Sequence, residues 1–297
     1  MDRATLVGWA MLSAFAGLIT SCGGGNDSPP PNPPAEPSPP PPPTVANSKG
    51  VIALYSAAGS LEYATTVPLR SVPGGRAPSA WVDGGCEGGE GSLEVALDGA
   101  PTASGTSLPP GSHTYSVRFN NCLVDGLDGI HLTGTTTLRY TTTNWSNVSA
   151  DAGTASMRAI GRVANGLDDV TATGSGRRTV VSTITTSGSS FASSFSPNAG
   201  ATLVNNHTTN VITFKGGSSV ASSDLGIGVA RNGFANLAIA LNGVDYVLDG
   251  ALETIFVNGR GNTTGEIRVT RADVLVGRIF VESGSLRFVE LAPIGPF

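Results

Sequence analysis

Leu237-Ala238-Ile239-Ala240-Leu241-Asn242-Gly243-Val244-Asp245-Tyr246-Val247-Leu248 decides the fold of this chain. In 237–241 every second residue is a large apolar side chain, which puts one set on a buried face and the other outside. Asn242-Gly243 follows at once. Asn-Gly tolerates positive φ at both central positions, as a two-residue type I′ hairpin requires. Asn232-Gly233, Asp249-Gly250 and Asn258-Gly259 stand nearby, each between apolar runs. The spacing predicts an up-and-down meander with strands near 225–231, 234–241, 244–248, 251–257, 263–270, 273–281 and 285–291. A parallel arrangement needs crossovers of about a dozen residues, and there is no room for them. The sheet is therefore expected to be antiparallel.

The same pattern extends toward the N-terminus. Leu93-Glu94-Val95-Ala96-Leu97 and Tyr115-Ser116-Val117-Arg118-Phe119 alternate, and Asn165-Gly166 predicts a hairpin joining 154–164 to 167–173. Glycine and β-branched residues recur too often for an amphipathic helix, so none is expected after residue 21. Ser187 to Gly200, rich in serine and glycine, reads either as a linker between two β units or as a long loop. Phe191 and Phe195 within it favour a packed loop, hence one domain over 49–297. The fold class is all-β: an antiparallel up-and-down meander forming a curved sheet or a sandwich.

What precedes that domain has a different composition. Leu6 to Ile19 is apolar, too short to span a bilayer and the length of a signal-peptide core, and it leads into Ile19-Thr20-Ser21-Cys22. From Pro29 to Pro43, 11 of 15 residues are proline, which excludes helix and sheet interior. That tract should form a polyproline II spacer roughly 45 Å long, at about 3.1 Å per residue. The run ending in Cys22 resembles the signal of bacterial lipoproteins. The resemblance implies removal of residues 1–21, lipidation of Cys22 with diacylglycerol and an acyl chain such as palmitate, and a tether over 22–48. By analogy with Gram-negative lipoproteins, Gly23 in place of aspartate implies the outer membrane, with the face open between periplasm and surface.

Composition narrows the function. Charged residues are 13% of the chain and the net charge is −5, which excludes a nucleic-acid binder. With Cys22 lipidated, Cys86 and Cys122 remain as one pair, expected to form a disulfide in an oxidising compartment. Two free thiols or a metal site are the alternatives, and no histidine or acidic cluster stands at ligand spacing. Phe119-Asn120-Asn121-Cys122, followed by Asp125-Gly126, Asp128-Gly129 and Leu132-Thr133-Gly134, resembles a pattern in β-rich predicted lipoproteins of Gram-negative bacteria. There a strand ends in a cysteine, a glycine turn follows, and the next strand opens with Leu-x-Gly.

Hydrolase motifs are absent: no Gly-x-Ser-x-Gly, His-Glu-x-x-His or Ser-x-x-Lys occurs. His113 and His131 are placed to face each other across the Cys122 hairpin, a weak metal pair at best, and strand packing is the better account of both. Asp125, Asp128, Asp168 and Asp169 match no calcium-loop spacing, so turn chemistry is assigned to them. Arg260, Arg268, Arg271, Arg278 and Arg287 interleave with Glu266, Asp273, Glu282 and Glu290. They suit lipopolysaccharide phosphate or, more simply, cross-strand ion pairs. The expectation is a non-enzymatic structural or binding module without a cofactor or metal, partnered by an envelope protein or lipid. A carrier enclosing an apolar ligand is the alternative, and an envelope hydrolase has no motif behind it.

Overall fold

The computed structural model describes residues 49–66, 86–103, 106–125, 129–144, 147–163, 167–185, 188–224, 227–257 and 260–295. The expected signal peptide, Cys22, the proline tract, Asn165-Gly166 and Asn258-Gly259 lie outside them. One helix, α1 (Lys49–Thr66), precedes β1 (Ser92–Leu97), β2 (Ala100–Pro101), β3 (Gly111–Asp125), β4 (Ile130–Thr142), β5 (Asn147–Val163), β6 (Leu167–Thr185) and β7 (Gly188–Pro197). There follow β8 (Thr202–Asn205), β9 (Val211–Asp224), β10 (Val229–Leu241), β11 (Val244–Val257), β12 (Arg260–Arg271), β13 (Val274–Glu282) and β14 (Ser285–Glu290).

The fourteen strands of the described residues join one antiparallel sheet; it follows chain order from β3 to β14 apart from β8, and beyond β3 come β1 and then β2 at the edge. The lane between β6 and β9 is shared. β7 pairs with 176–185 of β6, and β8 continues the same lane against 170–173. The described part of that stretch, 188–200, is thus neither a linker nor a long loop. It is strand β7 and the break before β8, and Phe195 is buried in the core.

Of the three Asn-Gly and Asp-Gly steps over 232–250, each read from the sequence as a turn, one makes a hairpin. Asn242 and Gly243 have φ of 51° and 81° and close the β10–β11 hairpin, with Leu241 paired to Val244. Asn232-Gly233 and Asp249-Gly250 instead lie inside strands, so the separate strands expected on either side of each are one strand, 229–241 as β10 and 244–257 as β11. Glycine is required there by close backbone approach. A Cβ on Gly233 would stand 2.2 Å from the Gly250 carbonyl oxygen, and one on Gly250 would stand 2.3 Å from that of Glu266. Likewise β3 does not end at Cys122 but bulges after Phe119 and runs on to Asp125.

The larger correction is α1, since no helix was expected there. Val51, Leu54, Ala58 and Leu61 recur at helical spacing and are fully buried, as is Ala57. Ala53 and Ser56 are buried as well, so nearly the whole circumference is covered. The sequence signal was hidden because α1 has no polar face to set off an apolar one. It lies on the inner face of the sheet, touching strands from β4 to β9 and also β13 and β14, so the sheet curls around it. Tyr55 packs edge-on against Phe234 and Phe288, with centroids 5.7 and 5.6 Å away. One continuous core results, from Val51 on α1 through Tyr115, Leu138, Phe195, Phe214 and Leu248 to Ile279.

Candidate functional site

Because α1 fills the inner face, the surface left for recognition is the outer one. Strand alternation sets its chemistry. On β6, Arg178 and Val180 point inward while Thr179 and Val181 point out. On β7, Phe195 is inward and Ser194 outward. Pairing then lines up one outer row, Thr179, Ser194, Val220, Gly233 and Ala251, across β6, β7, β9, β10 and β11. Small side chains in that row leave an open trough of about 580 Å³, lined also by Val181, Arg231 and Asp249. It crosses four strand spacings, roughly 19 Å at about 4.8 Å each. The Thr179 and Ser194 hydroxyls share a hydrogen bond of 2.7 Å. The trough can take an elongated ligand against a floor of methyl and hydroxyl groups. No spacing rule in the sequence marks it, because it is a row across strands far apart in the chain.

No family model matches this chain. No curated protein and no solved structure matches it either.

Beneath the trough, on the inner face, Glu62 of α1 meets Arg178 of β6 at 3.3 Å, with side chains 19% and 4% exposed. The Ser219 hydroxyl donates to Glu62 at 3.4 Å. Burial pushes the Glu62 carboxyl up, and the Arg178 charge and Ser219 bond pull it back. Burial likewise lowers Arg178, opposed by Glu62. This pair joins the helix to the sheet, and neither residue carried a sequence signal.

The expected site residues fall as follows. Cys86 and Cys122 form a disulfide, which ties the turn at Glu87–Gly89 to β3. Cys22 lies outside the described residues, as does Asp128. His113 and His131 do not face each other. His113 opposes Tyr140, whereas His131 lies between Leu123 and Ile160. Among the described residues no three of His, Cys, Asp and Glu gather as a metal site would need. Asp169 is not a turn residue: on β6 it accepts Arg158 Nε at 2.9 Å, Arg158 Nη2 at 2.7 Å and Asn206 Nδ2 at 2.7 Å. The Arg158 bonds chiefly hold its carboxyl down at about 2. Arg278 pairs with Glu266, Arg287 with Glu282 at 3.2 Å, and Arg268 with Asp249 at 3.8 Å. Those cross-strand pairs are the simpler of the two readings of the arginine-rich C-terminal strands.

Proposed function

We propose that this protein is a lipoprotein of the Gram-negative outer membrane, anchored through a lipid on Cys22, that acts as a non-enzymatic binding or structural module. The observation that carries the module over the carrier is α1. Helix and core side chains occupy the inner face, where a carrier would hold its ligand, and leave the outer face for contact. The tether would join the domain at Lys49, the first residue of a helix buried over most of its length. A pull transmitted through the proline tract is then resisted by packing, not by a frayed end. In this role the trough from Thr179 to Ala251 is the recognition surface and the partner is an envelope protein.

Intact mass spectrometry of the protein taken from the envelope tests the anchor and the module together. Under denaturing conditions the expected mass is that of residues 22–297 plus a lipid, and Cys22→Ser should lose the lipid. Under native conditions no ligand should remain. An unlipidated wild-type chain refutes the anchor, and an apolar molecule bound one-to-one under native conditions replaces the module with the carrier.

A further inference from the structure

β1 is an unusual edge. It pairs with β3 at all six positions, yet of its residues only Val95 is buried. Its outer neighbour β2 is two residues long. An edge strand with so little apolar burial opens at low free-energy cost unless something else holds it. Here its two flanks are held by two histidines. At the turn after β1, His113 Nδ1 lies 2.7 Å from Asp98 Oδ2 and Nε2 lies 3.2 Å from the Pro110 carbonyl oxygen. At the loop before β1, His131 Nε2 lies 3.2 Å from Glu90 Oε2 and Nδ1 lies 3.1 Å from the Gly129 carbonyl oxygen.

A carboxylate and a peptide carbonyl only accept. A neutral imidazole has one N–H, so it can satisfy one of its two partners, whereas the imidazolium donates to both. Both rings therefore sit in settings that require two donors. We infer that His113 is a protonation-dependent clamp on the turn after β1, which secures that end of the strand against β3 when charged and releases it when neutral.

The two groups that oppose the rings are well placed for this. Asp98 also accepts the Thr114 amide at 2.9 Å, so its carboxylate is fixed on β3 before His113 reaches it. The hydrogen bond to Asp98 raises the pKa of His113, and the same bond lowers that of Asp98. Among the described residues the titratable groups facing the rings are Asp98 and Tyr140 for His113, and Glu90 for His131. Burial, helped by the Asp98 charge, pushes the Tyr140 hydroxyl up to about 12, so it stays protonated and donates to the Pro109 carbonyl at 2.9 Å. For His113 the sign is fixed: its folded pKa lies above the unfolded value, so the clamp is complete below the ordinary histidine range and is lost as pH rises through the folded value. Release would bare the outer N–H and C=O groups of β3 over 115–120. The Cys86–Cys122 bond keeps the freed segment attached to β3.

The test is amide hydrogen exchange on the full oxidised protein, corrected for the intrinsic effect of pH, at about pH 5.5 and about pH 8. The expected result is a several-fold loss of protection in β1 at the higher pH, with β10–β11 unaffected. His113→Gln, with one neutral donor group, should flatten that response while the sheet stays folded. Asp98→Asn provides a second, nearly isosteric variant that weakens the same clamp. Equal pH dependence in wild type and both variants overturns the inference, as does a β1 whose protection is the same at both pH values. Loss of protection spread evenly over the sheet overturns it too.

Discussion

Breaking the Glu62–Arg178 pair should destabilise the protein far more than replacing it. Arg178 is 4% exposed and Glu62 19%, with nitrogen and oxygen 3.3 Å apart. Removing one partner from a buried pair leaves the other charge desolvated, at a cost of about 3–5 kcal/mol. Replacing both by apolar residues of similar volume is often neutral or stabilising, because the desolvation cost of two charges disappears with their attraction. Glu62→Leu leaves the more deeply buried charge, so it belongs at the upper end of that range. Arg178→Met leaves the partly exposed carboxylate and the Ser219 bond, so it belongs near about 3 kcal/mol. The double variant should lie within about 1 kcal/mol of wild type, giving strong non-additivity in a double-mutant cycle. Urea unfolding reads this directly. With a slope of about 3 kcal/mol/M, each single variant shifts the midpoint down by about 1 M or more, and the double restores it. Single variants that each cost under about 1 kcal/mol and add up in the double would refute a buried pair, and with it the docking of α1 through Glu62.

Three other outcomes are expected. Gly243→Val should cost about 1–3 kcal/mol and Gly243→Asn much less, because a Cβ there meets nothing within 4 Å and only the positive φ is strained. Equal denaturant midpoints would exclude that account. Asp169, held at about 2 by Arg158, contributes stability that is present above its unfolded pKa and lost as pH falls through about 2. Asp169→Asn should therefore flatten the acid limb of the stability curve below about pH 4, as followed by circular dichroism. Reducing Cys86–Cys122 opens a 36-residue separation and should cost about 3–4 kcal/mol in the chain-entropy model, read as a lower midpoint in reductant.

Period-2 alternation and turn chemistry were enough to read an antiparallel meander in chain order, because both are local. The Asn242-Gly243 hairpin was legible for the same reason. Asn232-Gly233 looks identical in sequence and is nonetheless mid-strand, since what constrains Gly233 is the carbonyl of Gly250, a residue on the neighbouring strand. The Cys86–Cys122 pairing was readable only with Cys22 set aside as the expected lipidation site, which leaves one pair. The trough was not, since Thr179 and Ala251 are 72 residues apart and share a row only through the register of three intervening strands.

The hidden helix has a physical logic that also explains the curvature. A sheet of many strands twists, and as it coils its inner face must be filled by something. Lys49–Thr66 is suited to that place by being small: Ala53, Ser56, Ala57 and Ala58 are buried in it, and a Cβ on Gly277 of β13 would come within 2.8 Å of Val51. A helix of bulkier residues would hold the strands off. A helix of small residues lets them close in, and its few large side chains, Leu54, Tyr55 and Leu61, fill what is left. Such a helix shows no contrast between faces precisely because every face is covered, so the pattern that normally reveals a helix is erased by the environment that makes this one necessary. The one charged group it carries inward, Glu62, is answered from the sheet by Arg178, so α1 is positioned by a polar contact as well as by volume.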